Sequence, residues 1–268
     1  MKNILTVILL LYLCSSISAI AEKKIISVSI PPQKKLIKLI TNDDFIIHTL
    51  LQKNTDPKTF SPTKKLIKKI AKSEAFISIT TLDYEFKYLK AIKNINKKIL
   101  IINGAKYISP IIKKNIKFNQ PKTFTDEFNT FGSKTNKEFK NIFKKEESKK
   151  IKIQSINPYY WLSPIQLMKH IDVITETLCY LNPTKKTIYE KKSLLLQQKL
   201  HLMNQEIENK RRTNKTTSIL TDQPYLNYFT KQYNIKQIHI YDQFPVPSKP
   251  HITNLLEVLN EKKKESYF

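Results

Sequence analysis

Residues 184–212, TKKTIYEKKSLLLQQKLHLMNQEIENKRR, carry Leu196, Leu200, Met203 and Ile207 at i, i+4, i+7 and i+11. That spacing predicts one apolar stripe on a single continuous helix whose remaining faces are lysine, glutamine and glutamate. At 1.5 Å per residue the helix is about 43 Å long, more than a small domain is wide. Leu181-Asn182-Pro183 stops the preceding helix and starts this one. A strut of that length with one stripe is suited to joining two lobes.

Upstream, strand-like and helix-like stretches alternate. Ile25 to Ile30 reads as a strand ending at Pro31-Pro32, and Leu36, Ile37 and Ile40 recur at helical spacing behind a solvated lysine face. Phe45 to Leu51 is again strand-like. A proline-bounded loop follows, with Ser61 as the expected N-cap and Pro62 at the first position of a helix carrying Leu66, Ile67, Ile70 and Ala71. Ala75 to Thr80 and Lys98 to Ile102 read as buried strands flanking a helix from Glu85 to Ile92. Such alternation predicts an α/β class with a parallel sheet. Residues 112–152 lose the pattern to lysine, asparagine and serine, and read as a surface insert with a short helix near 138–145. Order returns at Ile156, and a helix carries Ile165 to Leu178. Beyond the long helix come a strand at Ser218 to Leu220, a helix at Pro224 to Tyr233, a strand at Ile238 to Tyr241 and a last helix over 251–262.

Composition narrows the function. The chain of 268 residues has only two glycines, so no phosphate-cradling glycine loop exists. Its net charge is +25, yet Arg211 and Arg212 are its only arginines, and recognition of bases and phosphates favours the guanidinium fork. The lysines are spread evenly along the chain, so no nucleic-acid partner is expected. The N-terminus reads as an export signal: Lys2, an apolar run from Ile4 to Leu13, and Ala19-Ile20-Ala21 before Glu22. Cleavage after Ala21 is expected in preference to lipidation at Cys14, because Leu11-Tyr12-Leu13 is bulky where a lipoprotein signal is small. The mature chain is expected to be periplasmic or extracytoplasmic, with Cys179 as a buried structural thiol.

No side-chain constellation argues for an enzyme. His48, His170, His201, His239 and His251 show no helical metal-site spacing, and each alone reads as a surface or core histidine. No carboxylate pair stands out. The loops Ser29-Ile30-Pro31-Pro32, Asp56-Pro57-Lys58-Thr59-Phe60-Ser61-Pro62-Thr63, Asn157-Pro158-Tyr159-Tyr160-Trp161-Leu162-Ser163-Pro164 and Tyr228-Phe229-Thr230-Lys231-Gln232-Tyr233 remain. In order and spacing they resemble the zinc and manganese solute-binding proteins of bacterial ABC transporters, over almost the whole mature chain.

The resemblance implies two lobes with parallel sheets joined by the long helix, a ligand cleft between them, Zn²⁺ or Mn²⁺ as transported ligand, and a monomer delivering to a membrane permease. It divides the chain into a signal peptide (1–21), an N-terminal lobe with the lysine-rich insert (22–155), a helical connector (156–214) and a shortened C-terminal lobe (215–268). The family's ligand histidine in D-P-H-T-Y-x-P is matched by Lys58, that of D-P-H-x-W-L-x-P by Tyr159, and a third ligand by Gln223. Lysine offers only donors and a positive charge, glutamine one neutral carbonyl, and tyrosine binds well only as phenolate. Asp222 is a candidate substitute ligand, or a partner for the Lys58 ammonium in place of a cation. No resident cofactor is expected. A second reading keeps the scaffold as a degenerate or repurposed extracytoplasmic binding or adhesion protein without metal.

Overall fold

The structure, a computed structural model, describes residues 22–52, 55, 60–80, 82–111, 156–215, 217–221, 223–239, 253 and 256. The elements are β1 (Ile25–Val28), α1 (Pro31–Thr41), β2 (Ile46–Thr49), α2 (Lys64–Ile70), β3 (Ala75–Ser78), α3 (Asp83–Ile95) and β4 (Leu100–Asn103). After them come α4 (Pro164–Leu181), α5 (Lys186–Thr213), β5 (Ser218–Thr221), α6 (Asn227–Tyr233) and β6 (Lys236–His239). Short 3₁₀ turns at Tyr160–Leu162 and Pro183–Lys185 lead into α4 and α5. The first four strands form a parallel sheet in the order β2-β1-β3-β4, and β5 and β6 form a second parallel pair. The α/β expectation holds. The insert and its helix, like residues 1–21, lie outside the described residues, and the last predicted helix is described only at Thr253 and Leu256, both helical.

The first sheet is covered on both faces, which is why its strands read as near-continuous apolar runs. One face of Ile26, Val28, Ala75 and Ile77 packs with α1, α4 and α5 through Ile37, Ile40, Ile171, Ile174, Leu178 and Tyr189. The other carries Phe76 against α2 and α3, through Ile67, Ile70, Leu89 and Ile92. Pro31 and Pro32 open α1, where a missing N–H costs nothing. Thr63 rather than Ser61 caps α2, its Oγ1 accepting from Leu66 N–H at 3.2 Å. Ser61 instead faces the Tyr88 hydroxyl at 3.1 Å, because the helix begins two residues later than Pro62 suggests.

The long helix runs from Lys186 to Thr213, and its buried side differs from the predicted stripe. Tyr189, Ser193 and Leu200 are buried, Leu196 is partly so, and Met203 is exposed. The first lobe holds only the N-terminal half of α5. The Asp44 carboxylate is bound by the Lys185 ammonium and the Tyr189 hydroxyl, fixing the start of α5 to the approach to β2. In the C-terminal half the partners are polar: Asn204 Oδ1 accepts from the Tyr233 hydroxyl at 2.8 Å and from Gln232 Nε2 of α6. Polarity replaces the apolar seam where the helix leaves the first core for the smaller second lobe. Cys179, expected to be buried, is only partly so. Its thiol lies over the Lys186 carbonyl at 3.8 Å, at the rim of a surface cavity of about 570 Å³ between α4 and the first turn of α5.

Gly104, just after β4, is where backbone and side chain approach too closely for a Cβ. One built there would stand 2.0 Å from the Ser78 carbonyl oxygen and 2.6 Å from His170 Cε1. Gly104→Ala therefore drives β3 and α4 apart, with an expected loss of roughly 2–3 kcal/mol. Urea unfolding of the full chain measures it, and an unchanged midpoint would sink the close-approach argument.

Candidate functional site

In the order β2-β1-β3-β4, the chain reverses direction of growth between β1 and β3. A crevice forms outside the carboxyl ends of two strands at such a switch point, and open α/β sheets bind ligands there. Here it is floored by Ser29, after β1, and by Ile79 and Thr80, after β3. Glu85, in the first turn of α3, is fully buried between them. One carboxylate oxygen accepts from the Ser29 hydroxyl and from Ile79 N–H at 2.6 Å, and the other from Leu82 N–H at 3.3 Å. The last bond is half of a capping box: an N3 acceptor reaches back to the N-cap N–H, although Leu82 has no acceptor of its own. Tyr84 donates to the Ser29 carbonyl at 3.2 Å. Thr80 holds φ 73°, a left-handed conformation unfavourable for a β-branched residue, steadied by its hydroxyl's 2.8 Å contact with Ser78.

A second buried group ties this crevice to α4. Gln33 Oε1 accepts from the N–H groups of Ser29 and Ile30, at 2.9 and 3.1 Å. Its amide nitrogen then faces the Ile77 carbonyl at 3.1 Å and His170 Nε2 at 3.2 Å. His170 Nδ1 lies 2.8 Å from the Gly104 carbonyl, which can only accept, so Nδ1 carries the hydrogen and Nε2 accepts from Gln33. Tyr160 adds a hydroxyl 3.2 Å from Nδ1. His170 is thus a core histidine.

Tyr160 leads to the wall of the site. The Asn157–Ser163 turn carries Tyr159, Tyr160 and Trp161, and the Gln223–Tyr228 turn after β5 meets it. Asn157 Nδ2 donates to the Pro224 carbonyl at 2.9 Å, and the Tyr159 and Tyr225 rings meet edge to face with centroids 4.9 Å apart. Trp161 packs on Tyr159 at 5.4 Å, and Tyr228, buried beside Tyr160, accepts from Ile111 N–H at 3.0 Å. The Gln223 carbonyl accepts from Tyr225 N–H and the Thr221 hydroxyl, both at 2.8 Å, and from Gln237 Nε2 at 3.1 Å. These bonds clamp it to the carboxyl end of the second sheet.

Of the four residues singled out by sequence, Tyr159 and Gln223 therefore stand on two turns that touch, the first leading into α4 and the second following β5. Lys58 and Asp222 lie outside the described residues. Among the described residues no group of three histidine, cysteine, aspartate or glutamate side chains could hold a metal ion. The side-chain oxygen atoms of Tyr159 and Gln223 are a phenol and a neutral amide carbonyl.

Glu85 and Gln33 were not found by sequence reasoning, whereas His170 is the core histidine its isolated position suggested. The signal available was the position of Gln33 and Glu85, each three residues past the N-cap of a helix that follows a strand.

The chain matches, over residues 26–268, the family model described as zinc-uptake complex component A, periplasmic. It is 26% identical over 231 residues to a putative metal-binding protein of Chlamydia trachomatis serovar D, covering 84% of this chain and 67% of that protein. It is 23% identical over 257 residues to the zinc-binding lipoprotein AdcA of Streptococcus pneumoniae serotype 4, covering 95% of this chain but 46% of that relative, so it spans less than half of AdcA. Among solved structures, ZnuA superposes with a TM-score of 0.69 at 22% identity, covering 90% of this chain and 79% of that one. The Mn-bound periplasmic metal-binding protein of Candidatus Liberibacter asiaticus does so with 0.66 at 17%, covering 90% and 77%. At these identities the two structures establish the shared two-lobe fold.

Burial pushes Glu85 up to about 7 from its ordinary 4.5, against the hydrogen bonds that favour its anion. Burial pushes His170 down to about 4 from 6.5, against its bond to Gly104. The stability that Glu85 contributes is present below pH 4.5 and lost as pH rises through 7. That of neutral His170 is present above 6.5 and lost as pH falls through 4. Between pH 4.5 and 6.5 the folded chain keeps the Glu85 proton and the unfolded chain the His170 proton, so their effects oppose. Glu85→Gln removes one side of that balance. The stability of the variant relative to the parent should rise by about 1 kcal/mol per pH unit from pH 5 to 6. Urea midpoints of both proteins at the two pH values decide it, and parallel pH dependences would refute the assignment.

Proposed function

Because the chain belongs to the family of periplasmic component A of zinc-uptake complexes, we propose that it captures a divalent metal ion outside the cytoplasm and delivers it to an ABC-transporter permease. The family is one of substrate-binding transport proteins. The observation that carries the reading is the meeting of two turns, the Tyr159 turn that leads into α4 and the Gln223 turn that follows β5 of the second sheet. Tyr159, Gln223, Lys58 and Asp222 line the cleft in this reading. The boundaries at 22–155, 156–214 and 215–268 delimit the two lobes and connector, with residues 1–21 removed on export and the mature chain acting as a monomer.

The donor types set the preference. Phenol, amide and carboxylate oxygens suit a hard ion such as Mn²⁺ better than an imidazole set would, and Zn²⁺ loses its favoured nitrogen ligands. Tyrosine must shed its proton to bind, so metal capture releases a proton and weakens as pH falls. Lys58, if placed against the ion, lowers affinity further unless Asp222 takes its charge.

Calorimetric titration of the full chain with Mn²⁺ and Zn²⁺ is the test. Saturable binding of at least one ion is expected, weaker at pH 6 than at pH 8, and at least about tenfold weaker in Tyr159→Phe. Absence of binding by folded protein for both ions would overturn the metal reading. It would leave the scaffold to the repurposed, metal-free role.

A further inference from the structure

The solvent side of α5 carries a pattern that neither the fold nor the cleft uses. Ile188, Leu195 and Leu202 lie seven residues apart and are 52%, 50% and 64% exposed. At 100° per residue they differ by only about 20° from one to the next and form a straight line about 21 Å long, opposite the side that buries Tyr189 and Leu200. Lysines flank that line on both sides, Lys191 on one and Lys192 and Lys199 on the other. The acids of the helix are already engaged: Glu190 with Lys186 at 3.8 Å, Glu206 with Lys210 at 2.7 Å, and Glu208 with Arg211 and Arg212 at 3.0 and 3.1 Å. Lys192 reaches the Asn42 side chain at 2.8 Å, while among the described residues Lys191 and Lys199 have no ion-pair partner. The net field of this face is positive, as is that of the whole chain at +25.

We propose that this face of α5 docks onto an anionic lipid bilayer surface. The three aliphatic side chains would enter the headgroup boundary, and the lysine rails would bind lipid phosphates. A helix lying in the interface needs an apolar line with cations at its margins, since long lysine stems let the ammonium reach headgroups while the methylenes lie on apolar surface. Each lysine near an anionic membrane strengthens attachment, and the overall charge steers approach.

Charge also decides against a second copy on the same line. Antiparallel pairing about Leu195 would set Lys191 opposite Lys199 of the copy, and parallel pairing would set each lysine beside its counterpart. Both arrangements place like charges against each other across an apolar seam of only three residues. A phosphate-bearing plane has the opposite sign and matches the straightness of the line.

Flotation of the full chain with phosphatidylglycerol–phosphatidylcholine vesicles at low ionic strength tests this without metal, so its outcome is independent of the cleft. Leu195→Ser with Leu202→Ser keeps every charge, and Lys191→Gln with Lys199→Gln keeps every apolar group. All three proteins share the same N-terminus, so differences between them report on α5. Each double variant is expected to partition roughly tenfold less than the parent, with unchanged circular dichroism. Equal partitioning by the serine variant, or equal binding to pure phosphatidylcholine, would overturn the proposal. So would a parental dimer in sedimentation that the serine variant converts to monomer, because that would give the line to a second copy.

Discussion

The side chain on which most of the first lobe depends is the amide of Gln33. Its orientation is fixed twice, since the oxygen must face the N–H groups of Ser29 and Ile30 and the nitrogen must face the Ile77 carbonyl and His170. One buried group therefore joins the end of β1, the middle of β3, the first turn of α1 and the interior of α4. The amide does not tolerate a flip, because reversal would set donor against donor and acceptor against acceptor at a buried side chain. His170 extends the chain of bonds to Gly104, and the nearness of that ring and the Ser78 carbonyl leaves no room for any side chain at Gly104. The scarcity of glycine is thus compatible with one of the two having a specific structural use.

Glu85 does the corresponding work at the crevice. A carboxyl group with no countercharge is held by a hydroxyl and backbone donors, on the floor of the space where this kind of sheet receives its ligand. Satisfying the donors of two strand-end loops with one residue keeps this floor closed.

Much of the architecture was legible because burial on both faces of the first sheet writes long apolar runs, and half-buried helices write a 3.6-residue period. The alternation from Ile25 to Ile102 and the span of the long helix follow from those two signals. What periodicity could not show was where a helix exchanges apolar for polar partners. The stripe Leu196, Leu200, Met203, Ile207 continues smoothly on paper, but the first lobe ends near Leu200, so Met203 faces solvent and Asn204 takes the next contact. The cap of α2 was misplaced because Ser61-Pro62 and Thr63 are both acceptable starts, and only tertiary contact with Tyr88 distinguishes them. Gln33 and Glu85 were opaque for another reason: their partners are backbone groups from loops distant in sequence. The touching turns of Tyr159 and Gln223 were legible only through family resemblance, which orders the loops but says nothing of the aromatic packing that joins them.

The polar knot of Asn204, Gln232 and Tyr233 gives α5 a role beyond that of a spacer. Its buried grip on the first lobe ends at Leu200, and its grip on the second begins one turn later at Asn204. Each residue added between those points would turn the second lobe by about 100° and advance it by 1.5 Å, carrying the Gln223 turn away from Tyr159. The alignment of the two halves of the cleft is therefore a matter of angular phase, counted in whole residues along one helix. Changes of side chain can vary what the cleft holds, whereas changes of length in that one turn would separate its walls.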